Sequence, residues 1–102
     1  MIRTAFRAPG RIVPPQARAL RGRCVVLAPG AVMPWHSTGK REELLILLRG
    51  RIEVQTRAAA GRVARRPLVA GDCAFVRLGT WHQVVNAARR PAQYLYVTAS
   101  AG

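Results

Sequence analysis

This chain has little acid. Its 102 residues hold four acidic side chains, Glu42, Glu43, Glu53 and Asp72, against seventeen basic ones. Asp72 is the one aspartate, placed beside Gly71 in a turn, and Ser37 and Ser100 are the only serines. A Ser-His-Asp relay therefore has nothing to be built from. Cysteine is scarcer still. Cys24 and Cys73 stand far apart and form no C-x-x-C pair, so the expectation is two buried free thiols rather than a redox couple or a disulfide. Long apolar runs are missing as well. No stretch approaches the roughly 18 residues of a membrane span, and the N-terminus MIRTAFRAPGRIVPPQARALRGR has no continuous apolar core of the kind a secretory signal needs. The expectation is a cytoplasmic protein with no membrane association.

Arginine is what the chain has in excess. Every basic residue except Lys40 is an arginine, and the formal net charge is +13. Such a charge suits an anionic partner. Nucleic acid is disfavoured, because the arginines scatter from Arg3 to Arg90 with pairs only at Arg65–Arg66 and Arg89–Arg90. Neither a helix-turn-helix, a Cys/His finger nor an RNP-like aromatic sequence is present. A small-molecule ligand, anionic if the charge has a role, is the expected partner.

Half of the residues are apolar, enough for one globular domain of this length. Residues 1–23 read as an extended N-terminal arm, broken by Pro9-Gly10 and Pro14-Pro15, with an edge strand at Thr4–Arg7 or Arg11–Val13. Residues 24–102 read as the barrel. Cys24 to Leu27 is a short strand. Val32 and Met33 lead into Pro34, which suits an edge. Leu44 to Leu48 is apolar at every position, so a strand there should be covered on both faces, while Arg51 to Gln55 alternates as a half-buried strand does. Val63–Val69, Cys73–Leu78, Trp81–Val85 and Tyr94–Thr98 complete six to nine short strands, separated by glycine turns and with no amphipathic helix. The fold class is all-β, a sandwich or barrel. So small a domain gains from burying area against a copy of itself, and a homodimer is expected, with the arm available for exchange.

Three side chains form the one constellation with site chemistry: His36 and Glu43, on either side of a polar turn, and His82. Two imidazoles and a carboxylate suit a borderline divalent ion and leave coordination positions open. The same residues can instead hydrogen-bond one another as a metal-free polar cluster.

Their spacing resembles the cupin superfamily. The first cupin signature reads G-x5-H-x-H-x(3 or 4)-E-x6-G, and Gly30, His36, Thr38, Glu43 and Gly50 follow it, with Thr38 in place of the second His. The second reads G-x5-P-x-G-x2-H-x3-N, followed by Gly71, Arg77, Gly79, His82 and Asn86, with Arg77 in place of Pro. The resemblance covers about residues 24–98. It implies a double-stranded β-helix, a jelly-roll barrel holding one divalent transition metal, Fe, Mn, Ni or Zn. His36, Glu43 and His82 match the ligand positions. Thr38 would lie beside them and orient water or substrate, since a hydroxyl is a poor ligand next to imidazole. Asn86 matches a structural position. Trp35 and Trp81, each preceding a site His, should face away from it, and Tyr94 and Tyr96 share a face of the last strand that serves the core, an interface or the barrel mouth. The two hypotheses are a metalloenzyme and a metal-free module binding an anionic metabolite; the sequence names neither substrate nor reaction.

Overall fold

The computed structural model describes residues 1–101, and nine strands with no helix make up the regular structure among them. They are β1 (Gly10–Arg11), β2 (Leu20–Leu27), β3 (Val32–Ser37), β4 (Arg41–Arg49), β5 (Arg51–Arg57), β6 (Val63–Val69), β7 (Cys73–Val76), β8 (Trp81–Val85) and β9 (Ala92–Ser100). All pairings are antiparallel, in two sheets ordered β1-β2-β9-β4-β7 and β3-β8-β5-β6. This is the all-β jelly-roll barrel expected from the spacing of the two motifs. Gly102, counted with the barrel from the sequence, lies outside the described residues.

Alternation along each strand builds the core. Leu45 and Leu47 from β4 and Tyr94 from β9 meet Ile52, Val54 and Val84 from the facing sheet, all at 4% exposure or less. Burial of each aliphatic side chain contributes about 2 kcal/mol. The β4–β5 connection is a tight turn at Gly50, whose φ of +83° belongs to the left-handed region. It also passes close to another backbone. A Cβ there would lie 2.7 Å from the Pro91 carbonyl oxygen and 2.9 Å from the Ala92 Cα. Asn86, wholly buried, ties down the same end of the barrel: its side-chain amide donates to the carbonyls of Leu27 and Arg90, and its Oδ1 accepts from the Ala88 N–H.

Three details differ from expectation. The strand expected at Cys24 begins at Leu20 and pairs with β9 along its whole length, and β1 covers only Gly10–Arg11 rather than Arg11–Val13. Much of the nominal arm is therefore laid on the barrel. The apolar run of β4 is not covered on both faces: Leu45 and Leu47 are buried, but Leu44 is 38% exposed, because none of the described residues packs over it outside the five-stranded sheet. Of the two free thiols, Cys24 is buried under the arm, with its Sγ near the Phe6 carbonyl, while Cys73 is exposed on the same outer face. No helix among the described residues is long and apolar enough to cross a membrane.

Candidate metal centre

His36 and His82 are direct cross-strand partners on β3 and β8. Simple alternation would not give this. Met33 pairs with Val84 and His36 with His82, so Pro34 and Trp35 on β3 oppose the single Gln83 on β8, and the register shifts between Met33 and His36. The extra residue is a bulge at Pro34–Trp35, tolerated because β3 is an edge strand and proline has no N–H to leave unpaired. It turns both Met33 and His36 toward the cavity. The rings of His36 and His82 lie 4.2 Å apart, tilted by 55°.

Both imidazoles are oriented in the same way. The Nδ1 of His36 lies 2.8 Å from the Pro34 carbonyl, and the Nδ1 of His82 lies 3.1 Å from the Thr80 carbonyl. Each carbonyl belongs to the residue two before its histidine. A proton on Nδ1 satisfies each carbonyl and leaves Nε2 as the position that points elsewhere, the arrangement typical of metal-binding histidines. The Nε2 of His82 faces Oε2 of Glu43 at 3.0 Å. One ligand atom from each of His36, Glu43 and His82 falls in a group no wider than 4.8 Å. His36 is exposed at the cavity side, while Glu43 and His82 are buried. Two imidazoles held by carbonyls and one carboxylate form a donor set that fits a borderline divalent ion.

Without an ion, His82 faces two acceptors, and the cationic ring satisfies both. Burial is the largest influence on His82 and opposes its charge. The Glu43 hydrogen bond, the Thr80 carbonyl and the Glu43 charge outweigh it, so the pKa lies above the ordinary 6.5. Tyr94 is shifted upward by its burial first, then by the Glu43 charge and by Tyr96, and stays a neutral phenol.

Thr38 lines the cavity, but its hydroxyl is committed. It donates to the Arg77 carbonyl at 2.9 Å and accepts from the Thr80 N–H at 3.1 Å, while the Gly79 N–H donates to Gly39 at 2.7 Å. These bonds tie the turn of the first motif to that of the second. Arg77, in the place of a proline, contributes through its carbonyl.

The cavity has a volume of about 510 Å³. Its deep wall is apolar, from Leu45, Val84 and Met33, with Tyr94 and Tyr96 beside them. Toward the mouth it is basic, with Arg11, Arg21, Arg23 and Arg41, and the arm covers part of it with Val13, Pro14 and Pro15. The arm is held by the Ile12 N–H donating to Gly22 and by a turn in which the Ala17 N–H donates to Pro14. Sequence reasoning missed the arginines. The signal was present in the alternation Arg21-x-Arg23 running into Val25, which continues the inward face of β2. Trp35 and Trp81 do not line this cavity; they flank Arg57, whose guanidinium lies 5.2 Å and 5.7 Å from their ring centres.

A jelly roll of two facing antiparallel sheets, with two histidines and a carboxylate at one end of its interior, defines a class of small β-barrel proteins with a built polar centre. The model of the cupin domain matches residues 23–98, and the chain belongs to the cupin family. No curated protein matches it. Among solved structures, it is similar to a Cupin 2 conserved barrel domain protein from Salinispora arenicola CNS-205, at 32% identity and a TM-score of 0.76 over 91% of this chain and 75% of that one. The protein TT1209 from Thermus thermophilus is similar at 25% identity and a TM-score of 0.77, over 91% and 82%. An oxalate oxidase shares the fold at 20% identity and a TM-score of 0.74; the match covers 80% of this chain but only 42% of the oxidase.

Proposed function

We propose that this cupin binds one divalent transition metal ion, of the Fe, Mn, Ni or Zn class, through His36, Glu43 and His82, and acts on a small polar molecule in the cavity above it. The observation that carries the reading is the paired orientation of the histidines, each with Nδ1 on the carbonyl two residues before it. Such an ion supplies Lewis acidity and open coordination positions. The chain's own residues do the rest. Glu43 brings negative charge to a buried position, Leu45, Val84 and Met33 exclude water from the deep side, and the arm narrows the entrance. Elemental analysis of freshly purified protein tests this, with about one ion per chain expected and loss of it in His36→Ala and His82→Ala. Metal-free wild type after reconstitution, with unchanged thermal stability, would sink it.

A second reading is supported by one observation. The Glu43–His82 pair is satisfied without an ion, and Thr38 stands where the motif has a second histidine. On that reading the barrel is a metal-free pocket for an anionic small molecule, and ligand binding would be indifferent to added metal.

The proposal includes a homodimer formed through the outer face of the five-stranded sheet. Beside the part that the arm covers, two rows cross that face, Phe75–Leu44–Val97 and Cys73–Ile46–Leu95, and neither holds an arginine. Copies of a chain at +13 repel each other wherever arginines meet, so this surface is the one on which a second copy approaches at least cost.

A further inference from the structure

We infer that the cavity takes its ligand by an oxyanion, held at the mouth by Arg23 and Arg41, with the remainder of the molecule reaching down toward Glu43 and His82. This deepens the reading of the cavity as the functional site and rests on it. The first support is the charge of the lining. Arg11, Arg21, Arg23 and Arg41 line the cavity with Glu43 as the one carboxylate among the lining residues, and Glu43 is occupied by His82. The two salt bridges of the described residues are Glu43–His82 and Glu53–Arg65, so none of these four arginines has a carboxylate partner there. Like charges gathered around a partly enclosed space repel one another and attract a small anion into it.

The second support is position. Arg23 is directly opposite Tyr96 in the β2–β9 ladder, and its charge acts on the Tyr96 phenol; both residues line the cavity. Arg41 is held in place. Its Nε donates to Thr98 Oγ1 at 2.8 Å, and Nη2 donates to the carbonyls of Ala19 at 2.6 Å and Thr98 at 3.0 Å. These bonds fix the plane of the guanidinium and use Nε and Nη2. A guanidinium held in this way costs a ligand little conformational entropy. Arg41 and Glu43 are two residues apart on one face of β4, a rise of roughly 7 Å. A ligand of a few carbon atoms spans that distance. Carboxylates and phosphate monoesters share the required chemistry, since Arg23 can meet either through paired N–H groups while Arg41 adds its remaining Nη1.

Calorimetric titration with three probes, succinate, inorganic phosphate and the neutral succinamide, tests the inference on wild type and Arg23→Gln at low and high salt. Wild type should bind succinate or phosphate, at least tenfold more tightly than succinamide and more weakly as salt rises. The stronger of the two anions identifies the head group. Arg23→Gln should lose at least tenfold in anion affinity with an unchanged circular dichroism spectrum. Arg41→Gln should lose as much, but Arg23 is the decisive variant because it holds no other segment in place. Equal affinity for succinate and succinamide, unchanged anion affinity in Arg23→Gln, or no binding of either anion would overturn the inference. Elemental analysis of the same samples separates the two proposals. Anion binding by wild type that stays metal-free after reconstitution removes the metal reading alone, and metal retained without anion binding removes this one alone.

Discussion

Glu43 and His82, on different sheets and thirty-nine residues apart in sequence, meet at 3.0 Å with side-chain exposures of 7% and 1%. A carboxylate so placed is costly unless paired, and the imidazolium pairs it. The same two atoms are the ones a metal would take, so the proton on Nε2 of His82 and an ion compete for one position.

That competition sets the pH dependence. The folded pKa of His82 lies above its ordinary 6.5, so the native state holds this proton more tightly than the unfolded chain does. The stabilisation is complete below about 6.5 and is lost as pH rises through the raised folded value. The melting temperature of the metal-free protein should therefore fall across that window, and His82→Gln should remove the slope. An identical slope in His82→Gln would assign the effect to another group. Added metal should have the opposite trend, binding more tightly as pH rises and the proton leaves.

Thr38 holds two turns together by its hydroxyl, to Arg77 O and from Thr80 N–H. Thr38→Val keeps the shape and removes both bonds, at a cost of about 1–2 kcal/mol. Thermal melting should report that loss while the metal content per chain is unchanged. Loss of the metal with no loss of stability would instead place the hydroxyl in the ion's own surroundings.

Gly50 and Gly61 have nearly the same φ, +83° and +86°, but different surroundings. A Cβ at Gly50 would meet the Pro91–Ala92 backbone, while one at Gly61 meets nothing within 4 Å. Gly61→Ala should cost about 1 kcal/mol, the conformational term alone. Gly50→Ala adds a backbone collision and should cost about 3 kcal/mol or more. Denaturant melts of the two variants measure the difference directly, and equal losses would show that the turn at Gly50 relaxes.

Both the barrel and the three polar residues of its centre were legible because the glycine, histidine and glutamate spacings are set by turns and facing positions that tolerate few other residues. The features that escaped share a physical cause. Arg21 and Arg23 read as part of a solvated arm, because a hydrophobic pattern places arginine outside; here they face inward at a mouth that is open to water. The bulge at Pro34–Trp35 changes which face His36 occupies, and no alternation rule anticipates an inserted residue. Leu44 reads as covered because a run apolar on both sides implies two packed faces, and a single chain supplies only one.

That uncovered face yields the last prediction. Phe75 is 60% exposed and Leu44 38%, directly opposite each other on β7 and β4. Both are outward-facing, so replacing them disturbs the core little and surface substitutions of this kind usually cost under about 0.5 kcal/mol. If two copies meet here, Leu44 and Phe75 lie near the centre of a self-complementary patch, and Phe75→Arg introduces a charge that must face a copy of itself. Light scattering after size exclusion should give the mass of two chains for wild type and of one for Phe75→Arg, with the melting temperature of the variant becoming independent of protein concentration. A wild type that elutes as a single chain at all concentrations, or a Phe75→Arg variant that stays paired, would remove this face as the interface and leave its apolar rows without a partner.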